Sequence, residues 1–326
     1  MEPKAALQAF SYDPEELGAH GVEIEISHCG LCFSDIHLID DDWKKSRYPL
    51  VPGHEVVGRV VRRGTDVTHL EVGQRVGVGW QRSACLTCEL CLAGMDNLCP
   101  KQTATAVGHH GGLADRMITD SRFAIPIPAA LDSASAAPLL CGGVTVFSPM
   151  RKYNVSGLSK VGVIGIGGLG HMAIAILRAM GAEIIAFSSS PAKRDEALRM
   201  GASDFVASND VREVRKQAGR LDLILSTVDA RLDWVTYLQA LRANGTLVML
   251  GVPTGLISLS PHALLGQRSI TTGEIGSRAS ITELLAFAAR HKLAPEIQLA
   301  PMAESQAAID RLRANQVRYR AVLENR

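Results

Sequence analysis

The order of hydrophobic and polar positions divides the chain into two parts of different character. The first half has short apolar runs separated by glycine, such as Val22–Ile26, Val56–Val61 and Arg75–Val78. Val22–Ile26 alternates apolar and acidic residues, which is the pattern of a strand with one buried face. The other two runs are β-branched and bounded by glycine, as strands between turns are. The first half is therefore predicted to be rich in β-structure.

From Val161 onward, strand-like runs alternate with helical segments such as Leu169–Met180 and Ala192–Met200. Such alternation predicts a parallel sheet with helices on both faces. Beyond about Ser280 the pattern predicts two more helices and a closing strand at Tyr319–Leu323. The predicted strands of the parallel sheet are Val161–Ile166, Glu183–Ser188, Asp204–Ala207, Leu221–Thr227, Thr246–Gly251 and Ser269–Thr272.

Length and charge narrow the class of protein. The chain has 326 residues, and its 34 Lys and Arg against 33 Asp and Glu give a formal net charge of +1. The length suggests about two domains, and the balanced charge argues against a nucleic-acid partner. The start of the chain lacks the apolar stretch of a signal peptide, and the uncharged runs Ser133–Met150 and Val161–Leu177 hold too many glycines, prolines or hydroxyls to span a membrane. We therefore expect a cytoplasmic protein without a membrane partner.

A glycine-rich turn predicts a dinucleotide site. The run 165–170, Gly-Ile-Gly-Gly-Leu-Gly, fits G-x-G-x-x-G, follows an apolar strand and opens a helix rich in Ala and Ile. In that context the glycines allow a tight turn and a close approach of the backbone to a pyrophosphate, which the free N–H groups of the helix then bind. A glycine turn without a ligand is the alternative. The predicted phosphate-binding residues are Gly165, Gly167, Gly168, Leu169 and Gly170.

The end of the second strand of this part indicates which cofactor binds. An NAD site places Asp or Glu about 20 residues after the glycine turn. Here the chain has Ser188, Ser189 and Ser190, followed by Lys193 and Arg194. No carboxylate stands there to repel a 2′-phosphate, and hydroxyl and cationic groups can bind one. NADP is therefore favoured over NAD, with an ordinary serine-rich loop as the alternative.

The cysteines indicate metal. Seven cysteines are too few for a disulfide scaffold in a chain of this length, and grouped cysteines without a secretory signal are typical of metal sites. Cys85, Cys88, Cys91 and Cys99 have the spacing of a closed tetrahedral zinc site. An iron–sulfur cluster is the competing interpretation, because cysteines two residues apart and a Cys-Pro pair are typical of bacterial ferredoxins. The last gap of seven residues, instead of three, favours zinc.

Three cysteines remain for a second site: Cys29, Cys32 and Cys141. A catalytic zinc keeps one position open and takes thiolate, imidazole and water as ligands. His54 lies beside Glu55, whose carboxylate could support the imidazole or act as a transient fourth ligand. His109 and His110 offer imidazoles in a glycine-rich loop. Residue types alone do not choose among these histidines.

Together these motifs resemble the zinc-containing medium-chain alcohol dehydrogenases. The segment from Gly53 to Val67 carries the zinc signature of that family, Gly-His-Glu-x2-Gly-x5-Gly-x2-Val. The likeness is strongest to the cinnamyl-alcohol-dehydrogenase-like branch and, within it, to bacterial NADP-dependent aldehyde reductases, and it runs from about Leu7 to the end of the chain. The other matching segments are 29–32, 48–55, 139–145, 164–171 and 318–323.

The resemblance implies a fold class and a domain organisation. The expected class is α/β, with a GroES-like β-rich catalytic domain and a Rossmann domain built on a doubly wound parallel six-stranded sheet. The expected domains are residues 1–142, catalytic with a structural-zinc lobe, residues 143–276, which bind NADP, and residues 277–326, which return to the catalytic domain. Two Zn²⁺ ions per chain, NADP(H) and a homodimer are implied as well.

The resemblance also assigns roles to individual residues. Ser34 matches the hydroxyl that touches the substrate oxygen, His37 the histidine that passes a proton to solvent, and Thr145 a contact to the nicotinamide. Cys29 is left over, as a small buried residue. The implied ligands of the catalytic zinc are Cys32, His54 and Cys141 with Glu55 beside them, those of the structural zinc are Cys85, Cys88, Cys91 and Cys99, and the 2′-phosphate site consists of Ser188, Ser189, Ser190 and Lys193.

The implied reaction is a reversible hydride transfer between NADPH and an aldehyde, a small-molecule substrate. Two alternatives remain: an NAD-dependent polyol or secondary-alcohol dehydrogenase, and a non-catalytic zinc-stabilised sensor of redox state or cofactor. Departures from the branch include Phe33, where histidine is usual, and Glu274, in a loop that carries serine in relatives. Trp43 and Trp80 lie near matched motifs and could line the substrate site or serve packing alone.

Overall fold

The structure, a computed structural model, describes residues 2–251 and 256–325 of the chain. It divides into two compact units, of which unit 1 comprises Met1–Val144 and Ile275–Arg326 and unit 2 comprises Thr145–Glu274. These divisions fall two residues from the boundaries expected at 142 and 276. The fold class is α/β, as predicted.

Strands predominate in the first part of the chain, and strands alternate with helices in the second part. The strands are β1 Gly21–Leu31, β2 Glu55–Arg63, β3 Arg75–Val78, β4 Gln81–Ser83, β5 Thr103–Ala104, β6 Arg116–Asp120, β7 Ile125–Pro126, β8 Lys160–Ile164, β9 Glu183–Ser188, β10 Asp204–Ala207, β11 Leu221–Ser226, β12 Leu241–Met249, β13 Ser269–Thr272, β14 Ile297–Pro301 and β15 Arg320–Glu324. The α-helices are α1 Phe33–Asp40, α2 Glu89–Leu92, α3 Ser133–Pro138, α4 Val144–Lys152, α5 Gly170–Met180, α6 Arg194–Met200, α7 Val211–Arg215, α8 Trp234–Ala240, α9 Arg278–His291 and α10 Ser305–Arg313.

Unit 1 is built on a mixed sheet in the order β14-β15-β1-β2-β3-β7, with β6 also paired to β1. Strand β1 is the centre of this sheet, because it pairs with β2, β6 and β15. Val22, Ile24 and Ile26 face the core as the alternating pattern predicts. Glu23, between them, is also buried, and its carboxylate is paired with Arg62 and Arg116. The ion pairs explain why an acidic residue is tolerated there.

The end of the chain completes unit 1. Strand β15 pairs with β1 from His28, opposite Glu324, to Leu31, opposite Ala321. Helix α10 packs against α1, and apolar residues of both helices form one cluster with Leu31. The strand predicted at the end of the chain therefore joins the sheet of unit 1 as β15, and the tail adds a further strand, β14, that the pattern did not predict.

Unit 2 contains a six-stranded sheet in the order β10-β9-β8-β11-β12-β13, and all its pairs are parallel. Numbered from β8, this is the doubly wound order 3-2-1-4-5-6, so the predicted Rossmann sheet is confirmed. In such sheets ligands bind where the strand order reverses, beyond the carboxyl end of the first strand. The glycine turn follows β8 and lies at that point.

The structure also corrects the predicted bounds. Strand β12 begins at Leu241, five residues earlier than predicted, because Leu241 already pairs with Leu221 of β11. The helix predicted over Ala192–Met200 begins as a 3₁₀ turn, Pro191–Lys193, and becomes α-helical at Arg194. Within the residues that the structure describes, no helix combines the length and apolar character needed to cross a membrane.

Candidate active site

Four buried side chains of unit 1 converge on one point. Cys32 precedes α1, His54 directly precedes β2, Glu55 is the first residue of β2, and Cys141 lies in a π-helical turn, Leu139–Gly143. One potential ligand atom from each lies within 4.8 Å of those of the other three. The structure thus brings together the four residues expected around the catalytic zinc, from segments that are up to 109 positions apart in sequence.

Cys32 is placed by the helix that follows it. It is the N-cap of α1, with an extended backbone, and its Sγ accepts a hydrogen bond from the Ser34 backbone N–H at 3.3 Å. The Asp35 carboxylate accepts in return from the Cys32 backbone N–H at 3.0 Å. This reciprocal arrangement is a capping box. It holds the sulfur at the positive end of the helix, where a thiolate is stabilised.

Asp35 also orients His54. Its Oδ1 accepts hydrogen bonds from His54 Nδ1 and from the Gly53 backbone N–H, both at 2.9 Å, and Asp35 and His54 are fully buried. With Nδ1 donating, Nε2 keeps its lone pair for a metal. Nε2 lies 3.2 Å from Cys32 Sγ. The sequence motifs did not identify Asp35, although its position three residues after Cys32 fits a capping box.

Glu55 is held on one side only. Its Oε1 pairs with the Arg320 guanidinium from β15, whereas its buried Oε2 has no hydrogen-bond partner. A Cβ at Gly30 would lie 2.1 Å from Oε2, so glycine at that position makes room for the carboxylate. Burial raises the pKa of Glu55 to about 7 in spite of Arg320 beside it. An unpartnered buried oxygen at this place is what a nearby cation would satisfy.

Two glycines allow the turn that carries Cys141 to approach the sheet. A Cβ at Gly79 would lie 2.4 Å from the Leu140 carbonyl oxygen, and one at Gly77 would lie 2.7 Å from Leu140 Cδ1. Turns with π-helical geometry are rare in proteins, but those that occur are often found at functional sites. The five residues of the turn are buried, and the two glycines leave the space in which it packs, with Cys141 close to the other candidate ligands.

The ionisation of these groups suits a metal. A hydrogen bond from the Cys141 thiol holds the pKa of Cys32 well below its usual range, and the same bond raises the pKa of Cys141. Burial alone would lower the pKa of His54, but the negative charges of Asp35 and Cys32 raise it well above its ordinary value. Two thiols, an imidazole and a carboxylate are ligands that Zn²⁺ takes, and binding would release their protons.

Ser34 and His37 lie three residues apart on α1 and thus on one face of it. His37 Nδ1 is 2.8 Å from Asp42 Oδ2, and its ring is 4.9 Å from that of Trp43. Asp42 is a second carboxylate that the sequence motifs did not identify. It leaves Nε2 of His37 to exchange protons elsewhere.

Two tryptophans line this part of unit 1. Trp43 meets Trp80 edge to face at 5.8 Å, and Trp80 meets the His54 ring in the same manner at 5.0 Å. Trp43 is 40% exposed. The tryptophans therefore form a continuous aromatic surface from the candidate metal ligands to the solvent side of the site.

The two unassigned residues near this site differ in environment. Cys29 is fully buried, and Cβ atoms at Gly53 and Gly112 would lie 2.8 and 2.9 Å from its Sγ. Its burial raises the pKa of the thiol well above the usual range, so it is inert. Phe33, in contrast, is 45% exposed at the start of α1.

The remaining cysteines form a separate cluster around α2. Sγ of Cys85 lies 3.5 Å from that of Cys99 and 3.9 Å from that of Cys91, and Sγ of Cys88 lies 3.9 Å from that of Cys99. A tetrahedral ion with bonds of about 2.3 Å separates its sulfur ligands by about 3.8 Å. In an iron–sulfur cluster the cysteines bind different irons and lie farther apart. The spacing therefore fits one ion. Backbone N–H groups of Thr87 and Cys88 lower the pKa of Cys85 to about 5.

In unit 2 the glycine turn has the geometry of a phosphate-binding loop. Gly165 has a φ of +90°, and a Cβ there would lie 2.5 Å from the Val228 side chain. A Cβ at Gly170 would lie 1.9 Å from the Gly165 carbonyl oxygen, so the start of α5 packs on the turn. A Cβ at Gly167 would meet nothing within 4 Å. The turn is therefore closely packed at Gly165 and Gly170 and open at Gly167, as the approach of a pyrophosphate requires. Gly168 and Leu169 complete it.

The serine segment lies beside this turn. Strand β9 ends at Ser188, whose Oγ accepts from the Ser190 backbone N–H at 3.2 Å, and Ser189 is exposed. Lys193 Nζ donates to the Ile166 carbonyl at 2.6 Å, which places the cation at the glycine turn. Arg194, the other cation of the segment, instead donates to the Phe205 carbonyl at 3.3 Å. Lys193 is thus the cation near the turn.

Two more residues of unit 2 have a defined setting. Thr145 is buried at the start of α4. Glu274 is exposed at the end of unit 2.

Comparison with known proteins covers the whole chain. Residues 18–129 match the family described as alcohol dehydrogenase GroES-like domain, and residues 168–290 match the zinc-binding dehydrogenase family. The chain is 44% identical to the aldehyde reductase AdhA of Synechocystis sp. across 100% of its own length and 97% of that protein. It is 40% identical to the NADP-dependent alcohol dehydrogenase C 1 of Mycolicibacterium smegmatis, covering 94% of this chain and 91% of the relative.

A solved structure of a related enzyme has the same fold. The cinnamyl alcohol dehydrogenase SbCAD4 of Sorghum bicolor superposes with a TM-score of 0.92 at 38% identity, covering 97% of this chain and 93% of that one.

Proposed function

The chain belongs to the zinc-containing medium-chain alcohol dehydrogenase family, and from this premise we propose that it interconverts aldehydes and primary alcohols with NADP(H). It is an oxidoreductase of the alcohol dehydrogenase type, similar to cinnamyl alcohol dehydrogenases and bacterial aldehyde reductases. The observation that carries the proposal is the convergence of Cys32, His54 and Cys141 on one buried point, next to the unpartnered oxygen of Glu55.

The proposed catalytic zinc is held by Cys32, His54 and Cys141, with Glu55 as the fourth group. A second zinc, of structural role, is proposed for the cluster Cys85, Cys88, Cys91 and Cys99. A zinc ion held by Cys32, His54 and Cys141 would supply Lewis-acid chemistry for the carbonyl oxygen of the substrate. NADPH supplies the hydride. Asp35 keeps the His54 imidazole in the orientation that ligation needs, through its 2.9 Å hydrogen bond to Nδ1.

Two residues of α1, Ser34 and His37, are proposed to transfer the proton. The Ser34 hydroxyl donates a proton to the carbonyl oxygen as negative charge develops there, and His37 restores that proton from the solvent side. An imidazole can both take up and release a proton, and Asp42 holds Nδ1 of His37 so that Nε2 takes part. Trp43 and Trp80, whose rings meet at 5.8 Å, are proposed to cover one side of the substrate and keep water from it.

Unit 2 is proposed to bind NADP(H). The turn Gly165–Gly170 holds the pyrophosphate, Ser188, Ser189, Ser190 and Lys193 hold the 2′-phosphate, and Thr145 contacts the nicotinamide. Support comes from serine in place of an acid at the end of β9 and from the position of the Lys193 cation beside the turn. An NADP-dependent relative at 40% identity supports it too. The family also leads us to propose a homodimer.

A panel of aldehydes, from short aliphatic ones to cinnamaldehyde, tests this function when assayed with NADPH and with NADH. We expect reduction of at least one class of aldehyde, and a kcat/KM for NADPH that exceeds that for NADH by about tenfold or more, since a charged contact to the 2′-phosphate contributes about 1.5–3 kcal/mol. Equal kcat/KM for both cofactors would contradict the role of Ser188–Lys193. Absence of any aldehyde reduction would contradict the activity.

A further inference from the structure

The four-cysteine lobe, residues 85–99, contacts residues 275–278, where the chain returns to unit 1. Asp96 lies in a 3₁₀ turn just before the last cysteine of the cluster and is 2% exposed. Its Oδ2 accepts from the Arg278 backbone N–H at 3.3 Å and lies 3.4 Å from Arg278 Nε. The neighbouring Asn97 donates from Nδ2 to the Ile275 carbonyl at 2.7 Å. The lobe is therefore hydrogen-bonded to Ile275, three residues before α9, and to Arg278, the first residue of α9.

The side chain of Arg278 is fixed on its other sides. Its guanidinium lies over the Phe123 ring at 4.9 Å, and Nη1 donates to the Arg122 carbonyl at 3.4 Å. The Asp96 carboxylate stands at the N-terminus of a 14-residue helix, where negative charge is stabilised. Removing the charge of the buried Asp96 would break its ion pair with Arg278.

Farther along, α9 packs against the π-helical turn that carries Cys141. Leu284 Cδ2 lies 3.1 Å from the place a Cβ would take at Gly143, the last residue of that turn. Ile281 Cδ1 lies 3.6 Å from the equivalent place at Gly79, which is itself 2.4 Å from the Leu140 carbonyl oxygen. The helix, the turn and the segment that follows β3 are thus in close packing contact. A displacement of the start of α9 has to displace the turn as well.

We propose that Asp96 and Arg278 are positioning residues that couple the four-cysteine lobe to the catalytic ligand Cys141 through α9. The proposal rests on the proposed function, since it takes both cysteine sets to bind metal. It assigns the lobe a task beyond stability: the lobe keeps the turn Leu139–Gly143 at the distance from Cys32 and His54 that ligation needs.

The test uses the full-length enzyme with cobalt in the Cys32, His54 and Cys141 set and zinc retained in the lobe, as verified by metal analysis. In the Asp96→Asn variant a chelator should remove cobalt about tenfold faster than from the unsubstituted enzyme, which is the usual scale for loss of a residue that supports a ligand. The visible absorption bands of cobalt should shift, because the geometry of its ligands changes. The lobe should keep its zinc.

Glu89→Gln is the matched control, since Glu89 is an exposed carboxylate on α2 in the same lobe. It should leave the cobalt bands and release rate unchanged. Asn97→Ala, which removes only the bond to the Ile275 carbonyl, is a milder second variant if Asp96→Asn does not fold, and it should change release in the same direction. The double variant Asp96→Asn, Arg278→Met should release cobalt no faster than Asp96→Asn alone.

Unchanged bands and release rates in Asp96→Asn or Asn97→Ala, together with a lowered Tm, would overturn the proposal, because the lobe would then only stabilise the fold. If the unsubstituted enzyme takes no cobalt into the Cys32, His54 and Cys141 set, the proposed function itself is contradicted, and the coupling with it. Cobalt uptake by the unsubstituted enzyme therefore distinguishes a failure of the proposed function from a failure of the coupling alone.

Discussion

Single buried carboxylates hold the candidate active site in place. Asp35 receives three hydrogen bonds, from the Cys32 and Gly53 backbone and from the His54 ring, and is fully buried. Each bond constrains a metal ligand or the residue before it. The arrangement makes Asp35 the residue on which the geometry of two ligands depends.

Asp35→Asn should weaken zinc binding at the catalytic site by about 10- to 100-fold, since the amide cannot accept all three hydrogen bonds. Competition with a chelator measures the affinity. Asp13→Asn, at an exposed acid of unit 1, is the control and should bind zinc as the unsubstituted protein does. An unchanged affinity in Asp35→Asn would show that the carboxylate does not orient His54.

Ser34→Ala should lower kcat by about 100-fold or more, the usual contribution of a positioned proton donor. The KM for NADPH should stay the same, because Ser34 belongs to unit 1 and the proposed cofactor residues belong to unit 2. Ser34→Thr keeps the hydroxyl and should retain most of the rate. A kcat in Ser34→Ala equal to that of the unsubstituted enzyme would remove Ser34 from the proton path.

At this scale the sequence was informative where ligands recur at short spacing, as in Cys85 to Cys99. It was uninformative where partners come from distant segments. Arg320 pairs with Glu55 across 265 positions, and no local pattern marks it. The space that Gly30 leaves for Glu55 depends on how β1 and β2 pair, which only the folded sheet shows.

At the scale of elements, an ion pair joins the helix that carries Ser34 and His37 to the C-terminal helix. Arg313 of α10 donates two hydrogen bonds of 2.6 Å to the Asp40 carboxylate at the end of α1. The side chains are 33% and 10% exposed. The hydrogen bond from Arg313 holds the pKa of Asp40 below its usual range.

Asp40→Asn should lower the free energy of unfolding by about 1–2 kcal/mol at pH 7, as a charged and partly exposed bidentate contact suggests. Because the folded pKa is depressed, the contribution is present above the unfolded value of about 4 and is lost as the pH falls through the folded pKa. Urea unfolding at several pH values down to about 3 measures it. The control Asp66→Asn, at an exposed acid, should change little. A difference between variant and unsubstituted protein that does not shrink toward pH 3 would contradict the assignment.

Gly79→Ala should destabilise the protein by about 1–3 kcal/mol and reduce zinc at the catalytic site, because the new Cβ would lie 2.4 Å from the Leu140 carbonyl oxygen. Thermal unfolding and metal analysis measure the two effects. Gly18→Ala is the control, since a Cβ there meets nothing within 4 Å. Normal zinc content in Gly79→Ala would show that the turn does not depend on this contact.

Elements with a strong local pattern were predicted closely. The predicted bounds of the third, ninth, tenth and thirteenth strands, Arg75–Val78, Glu183–Ser188, Asp204–Ala207 and Ser269–Thr272, agree with the structure. Strand β12 was predicted too short, since Asn244-Gly245 has the composition of a turn. No local pattern predicted the π-helical turn, which packs against Gly77 in β3 and Gly79 just after it.

At the scale of the whole molecule, alternation of strands and helices predicts a parallel sheet but not its strand order. In the structure β9 and β10 lie on one side of β8 and β11, β12 and β13 on the other, so the glycine turn after β8 lies where the order reverses. The return of the tail to the first unit came only from the family resemblance. The pairing of β15 with β1 over residues 28–31 and 321–324 is its structural basis.

The central claim is that zinc held by Cys32, His54 and Cys141 is required for NADPH-dependent aldehyde reduction. Its most direct test is to measure zinc content and turnover together for the unsubstituted enzyme and for Cys141→Ser. We predict about two zincs per chain and active turnover for the former, and about one zinc, a near-native circular dichroism spectrum and no measurable turnover for the latter. Full turnover of Cys141→Ser with NADPH would contradict the account.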